Sequence, residues 1–183
     1  MKFGRAILFV ALGCVSSLAQ SSKPPNQQSS VPAASSTYVP VHRYDPSRNA
    51  VTDIEKAIGE AQRTGKRIIL EVGGDWCSWC HALDRFFQEH PDVVQLRDEN
   101  FITVYVYYNS ENKNEQALSR YYNSKVLGIP HFFVLDKDGS LLKSEEAANL
   151  ETTDSSYSAE KMQEFLTKWS PRSETPEKNA NQP

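Results

Sequence analysis

Two rhythms of apolar residues run through residues 51–170. In the first, Ile54, Ala57, Ile58 and Ala61 fall at i, i+3, i+4 and i+7, the stripe of an amphipathic helix. Thr52 or Asp53 stands where a cap is expected, and Gly65 where the helix should end. Met162, Phe165, Leu166 and Trp169 repeat the spacing behind Ser158 and predict the last helix, with these four as core. In the second rhythm, residues 67–72, 101–108 and 131–135 are short runs rich in Ile, Val, Phe and Tyr, which predict strands. Ile68-Ile69-Leu70 is continuous rather than alternating, as expected of a strand covered on both faces.

The connections alternate with the strands. Residues 77–89 predict a helix whose inner face carries Cys80, Leu83 and Phe87, and Pro91 opens a short second piece over 92–97. Strand, helix, parallel strand is a βαβ unit, expected to be right-handed. Residues 115–124 predict a helix with Leu118, Tyr121 and Tyr122 on its apolar side. Asp136-Lys137-Asp138-Gly139 predicts a tight turn into a short antiparallel strand over 140–143, and residues 145–157 a longer connection.

The ends follow neither rhythm. Lys2 and Arg5 precede an apolar stretch over 6–15 that is too short to span a bilayer, and Ser17-Leu18-Ala19 is a small-x-small site. Residues 1–19 therefore predict a signal peptide cut after Ala19, and an exported protein, periplasmic or secreted. The alternative is a membrane-anchored lipoprotein with Cys14 lipidated. Residues 20–44 are rich in Ser, Pro, Gln and Ala and predict a disordered linker; residues 171–183 predict a disordered tail. That leaves 45–170 as the folded domain. At 183 residues and 39% hydrophobic the chain can build one real core, and a net charge of -3 without a basic block argues against nucleic acid.

With Cys14 outside the domain, Cys77 and Cys80 are its whole thiol inventory, too few for a disulfide-stapled scaffold. At i and i+3 in the first turn of a helix they share a face and come near bridging distance. The free N–H groups and positive dipole end of that helix favour a thiolate. This arrangement predicts a thiol–disulfide redox site needing no cofactor: Cys77, at the exposed helix start, attacks a protein disulfide and Cys80 resolves the mixed disulfide. Trp76 and Trp79 flank the pair and offer apolar surface to a substrate.

The order strand, Asp75-Trp76-Cys77-Ser78-Trp79-Cys80, helix, strand, helix, Gly128-Ile129-Pro130, hairpin, helix resembles the thioredoxin superfamily over about residues 51–169. The pattern sits nearer to exported thioredoxin-like domains with W-C-x-x-C-H than to cytosolic thioredoxin. The resemblance implies an α/β thioredoxin-like fold, with a central mixed four-stranded sheet flanked by helices. It implies a protein thiol–disulfide oxidoreductase that meets protein thiols or disulfides and a redox partner protein. Pro130 would be a cis proline facing the cysteines, its loop with Ile129 holding substrate backbone. Glu71, six residues before Cys77, matches the family's buried acid, usually Asp, which relays a proton to the second cysteine. The chain departs from thioredoxin at Ser78-Trp79 between the cysteines and at Gly73-Gly74, where an aromatic or Ala stretch is usual.

Three other readings use the same residues. Cys77-Ser78-Trp79-Cys80-His81 is literally the C-x-x-C-H of c-type haem attachment. Cys77, Cys80 and His81 form a metal set only if His131, His90 or His42 joins them, and adjacent Cys80 and His81 converge poorly from one helix; no metal is expected. A non-catalytic thioredoxin-like binding module is the third.

Overall fold

Strand β1 (Arg67–Gly73) lies at the centre of one sheet with β2 (Phe101–Tyr107), β3 (His131–Leu135) and β4 (Leu141–Glu146), in the order β2-β1-β3-β4. This computed structural model describes residues 38, 43–122, 128–152 and 154–171. The predicted signal peptide with Cys14, all of the predicted linker except Tyr38, Arg43 and Tyr44, His42, and the tail beyond residue 171 lie outside the described residues.

β1 and β2 run parallel, Arg67 opposite Phe101; β3 runs antiparallel to β1 and β4 antiparallel to β3. The sheet is mixed and its helices cover both faces, an α/β architecture. Six of the seven β1 residues are buried, so the unbroken Ile68-Ile69-Leu70 run is explained. Ile68, Leu70 and Val72 turn toward helix α1 (Ala50–Thr64) and pack with its Ile54, Ala57 and Ala61. Ile69 turns the other way, into a core with Leu83 and Phe86 of α2 (Ser78–Glu89), Val93 of α3 (Pro91–Asn100), and Met162, Phe165 and Leu166 of α5 (Ala159–Trp169). The strand's period of two therefore puts Glu71 and Gly73 on the α2 side of the sheet.

Several boundaries differ from the expected ones. α1 begins at Ala50, and its cap is Asn49, whose side chain accepts from the Thr52 N–H at 3.1 Å, rather than Thr52 or Asp53. Asp53 is buried within the first turn, held by two hydrogen bonds from Arg48 at 2.6 and 2.7 Å. The C-terminus is as expected: Gly65 takes a left-handed φ of 74° and donates to Ala61 O at 2.8 Å. α3 runs to Asn100, past residue 97, because β2 follows it directly. The helix expected over 115–124 is only a single turn, α4 (Glu115–Leu118), continued by a turn through Tyr121, and residues 123–127 lie outside the described ones. β4 starts one residue later than expected and runs on to Glu146. The 145–157 connection then contains a 3₁₀ turn (Ala147–Leu150) and a bridge between Glu151 and Tyr157.

Candidate active site

The C-terminal end of β1 delivers the chain to the cysteines. Cys77 has extended backbone, φ -94° and ψ 113°, so it caps α2 from outside the helix. Its N–H donates to Gly74 O at 3.0 Å, closing the turn that precedes the helix. Its Sγ accepts the Cys80 backbone N–H at 3.1 Å and lies 4.0 Å from Ile129 O. The sulfur thus satisfies one of the free donors of the first turn, at the positive end of the helix. The Ile129–Pro130 peptide is cis, Pro130 is buried, and its carbonyl accepts the Ala147 N–H at 3.2 Å. Both cysteines are free thiols in this structure. Cys80 is 1% exposed, one turn deeper than Cys77. Burial pushes the Cys80 thiol far above its ordinary value, and the neighbouring Cys77 sulfur adds to the rise.

Glu71 is 1% exposed, on the face of β1 that Cys80 packs against. It does not turn to solvent, the alternative open to a glutamate at a strand end. Burial raises its carboxyl from 4.5 to about 7, against a hydrogen bond from Tyr44 and the charge of Arg97, both of which lower it. The Tyr44 hydroxyl donates to Glu71 Oε1 at 2.8 Å. Tyr44 closes the predicted linker in sequence, yet it is only 5% exposed and packs with Cys77 and Cys80. Its ring stands edge-on to Tyr105 of β2, with centroids 5.3 Å apart. Sequence reasoning missed it because a single aromatic at the border of a polar stretch carries no periodicity. The usable signal was elsewhere, in Gly73, which leaves empty a position where the resemblance expects bulk.

The two tryptophans part company. Trp76 is 56% exposed, and its indole N–H donates to Tyr108 O at 2.8 Å, so a fixed apolar face stands at the mouth of the site. Trp79 is half-buried and stands edge-on to Tyr157 at 5.8 Å, which leaves it less surface for a substrate. Ile129 is half-buried beside the cysteines.

The rival readings meet obstacles here. The Nε2 of His81 is turned to Asp75 O at 2.7 Å, where only an N–H can bond. Cys80 is shut beneath Gly73 and Tyr44, a poor place for a thioether to a haem. His131 lies on the α1 side of the sheet, its Nε2 2.7 Å from Ser144 Oγ, and His90 stacks on Phe86 at the far end of α2. Neither reaches the cysteines.

A family model described as thioredoxin-like matches residues 49–137. The chloroplastic thioredoxin-like protein HCF164 of Oryza sativa subsp. japonica is 35% identical over 86 residues, which is 44% of this chain and 28% of that protein. The thiol:disulfide interchange protein DsbD of Salmonella typhi is 26% identical over 104 residues, 57% of this chain and 18% of that protein. The chain thus spans less than a third of the length of these curated relatives. Among solved structures, the disulphide isomerase from Xylella fastidiosa Temecula1 aligns with a TM-score of 0.57 at 26% identity, over 68% of this chain and 94% of that one. Over residues 49–137 the chain is thus similar in sequence to the thioredoxin-like family, and its sheet and helices share the fold of that solved disulphide isomerase.

Proposed function

We propose that this domain is a protein thiol–disulfide oxidoreductase acting through Cys77 and Cys80 on exported protein substrates. The observation that carries the reading is the placement of Cys77 Sγ, capping α2 on the Cys80 N–H and facing the Ile129 carbonyl before the cis bond. A thiolate there is stabilised by the helix terminus; Cys77 is only 6% exposed rather than standing at an exposed helix start, and its sulfur lies beside the 129–130 loop along which a substrate would be laid. The names of the relatives, a thiol:disulfide interchange protein and a disulphide isomerase, point to the same chemistry.

Cys77 thiolate attacks one sulfur of the substrate disulfide and forms a mixed disulfide, releasing the other sulfur as a thiolate. Cys80 then attacks Cys77, freeing the second substrate thiol and leaving the Cys77–Cys80 disulfide. For this step Cys80 must lose its proton, which burial makes costly. Glu71 is the base that accepts it: an acid near 7 is ionised half the time at neutral pH and still basic enough to take a proton. Trp76 offers its exposed face to apolar residues flanking the substrate cysteine, and Ile129 with Pro130 supports the substrate backbone. The cycle runs backwards when the domain donates its disulfide. Export follows from the pattern at residues 1–19, and membrane attachment only if Cys14 is lipidated.

Insulin reduction by dithiothreitol tests the assignment. The wild-type chain should accelerate it, Cys77→Ser should abolish the acceleration, and Cys80→Ser should accumulate mixed disulfides visible on a non-reducing gel. An uncatalysed rate with wild type would leave a binding module. Undiminished activity in Cys77→Ser would refute the role of that sulfur. The equilibrium of the pair against glutathione buffers then gives the direction of the reaction in its compartment.

A further inference from the structure

Gly73 follows Glu71 by two residues and turns to the same side of the sheet. It carries no side chain, but the space in front of it is full. A Cβ there would lie 2.5 Å from Tyr44 Oη, 2.7 Å from Tyr44 Cζ and 2.7 Å from Cys80 Sγ. A tyrosine from the segment before α1 therefore fills the site where the resemblance expects a side chain from β1 itself. This borrowed ring brings a hydroxyl with it. The hydroxyl touches the Glu71 carboxylate at 2.8 Å and shares the Gly73 space with the Cys80 sulfur. Tyr44 and Tyr105 also line a polar recess of about 420 Å³ with Arg43, Asp75, Asp84 and Gln88. One phenol thus touches the buried acid, crowds the deep thiol and lines this polar recess.

We propose that Tyr44 is a positioning residue for disulfide exchange: its hydroxyl orients the Glu71 carboxylate beside Cys80 and stabilises the ionised form that accepts the Cys80 proton. This rests on the reading of Glu71 as the base. In the step concerned, the Cys80 S–H proton passes to a Glu71 oxygen. The Cys80–Cys77 bond forms with the sulfur's electron pair while the Cys77–substrate bond breaks, and the substrate sulfur leaves as a thiolate that takes its proton from water. The substrate disulfide is reduced by two electrons and the cysteine pair oxidised by two. Glu71 then gives its proton up toward the recess.

Tyr44 keeps the proton it donates to Glu71, because burial and the adjacent Glu71 hold its hydroxyl protonated well above the ordinary tyrosine range. A donor with no competing acid stabilises the carboxylate over the carboxylic acid. The other charged or titratable groups acting on Glu71 are Arg97 on α3, which favours its ionisation, and Asp84 on α2, which opposes it. Cys80 on α2, Tyr105 on β2 and Tyr157 before α5 each feel its charge in turn. Of these groups, Tyr44 alone makes a hydrogen bond to it that the structure records.

The experiment is a single-turnover oxidation of the reduced full chain by oxidised glutathione, followed by tryptophan fluorescence from pH 5.5 to 9. Glu71→Gln identifies the limb that belongs to Glu71, by removing it. Tyr44→Phe keeps the ring and its packing on Tyr105 and removes only the donor. We expect it to move that limb upward by about one pH unit, the worth of a hydrogen bond to a charged group. An unmoved limb in Tyr44→Phe, with the limb gone in Glu71→Gln, overturns the role of Tyr44 and leaves that of Glu71. A limb that survives Glu71→Gln overturns the base itself. Should Tyr44→Phe fail to fold, 3-fluorotyrosine at position 44 replaces it. Its more acidic hydroxyl is a stronger donor, so the limb must move down, and a limb that stays or rises rejects the proposal.

Discussion

Replacing Gly73 with alanine adds one methyl group at the most crowded point of the site. The new carbon would sit 2.5 Å from Tyr44 Oη and 2.7 Å from both Tyr44 Cζ and Cys80 Sγ, well inside contact distance. Neither neighbour can yield cheaply: Tyr44 is tied to Glu71 and buried, and Cys80 is fixed in the first turn of α2. Overpacking of this kind costs about 1–3 kcal/mol. If Tyr44 is expelled instead, its hydrogen bond to the carboxylate is lost, at about 1.5–3 kcal/mol. Alanine recovers about 0.5–1 kcal/mol over glycine within a strand. The net expectation is a loss of about 1–1.5 kcal/mol, read as a lower urea midpoint at unchanged m-value. Gly59 is the control. It is exposed within α1 and has nothing within 4 Å of its Cβ position, so Gly59→Ala should stabilise by about 0.8 kcal/mol. A cycle with Tyr44→Ala completes the test: the added methyl should cost little once the ring is gone, giving a coupling of about 1 kcal/mol or more. A Gly73→Ala protein as stable as wild type, or additivity in the cycle, would refute the packing argument.

Other expectations follow from single contacts. The Glu71 carboxyl is raised on folding from 4.5 to about 7, so the unfolded chain ionises first as pH rises. Stability is therefore unaffected by this group below pH 4.5, falls between 4.5 and 7, and stays reduced above, by up to about 3 kcal/mol. Urea titrations of Glu71→Gln should show a gain over wild type at pH 8 that shrinks at pH 4.5; an equal difference at both would contradict the buried acid. Asn49→Ala should cost about 1 kcal/mol in thermal unfolding through loss of the α1 cap, with Thr52→Ala costing less, and the reverse order would move the cap back. Phe86→Ala should cost about 3–5 kcal/mol in urea, since that ring is buried from α2 in the core with Ile69, Val93 and Tyr157.

The alternating pattern and the cysteine motif carried most of the architecture. Runs of β-branched and aromatic residues mark β1 and β3 because those strands are buried on both faces, and β2 because one face is buried and the other half-buried; burial is what composition records. The edge strand β4 has only exposed and half-buried residues, a weaker signal, and it runs three residues further than the sequence suggests. The helix expected over 115–124 shows the limit of periodicity: Leu118 and Tyr121 are buried as the stripe requires, but a turn presents them as well as a helix does. The cap of α1 was misplaced because Asn49, Thr52 and Asp53 are all capping types, and only the Arg48 pairing explains why Asp53 serves elsewhere. Within the site, Cys77, Cys80 and Glu71 sit along adjoining stretches of β1 and α2, where spacing fixes geometry. Tyr44 reaches them from 27 residues before Glu71, and no local rule connects the two.

That long reach bears on where the protein should be cut for laboratory work. The matched segment begins at residue 49, which makes it a natural starting point for a trimmed fragment. Such a fragment would keep both sulfurs and the acid yet lack the ring that plugs the gap before Gly73. Water would then reach the Glu71 carboxylate, and redox measurements made on the fragment would describe a wetter, differently charged centre than the one the longer chain encloses.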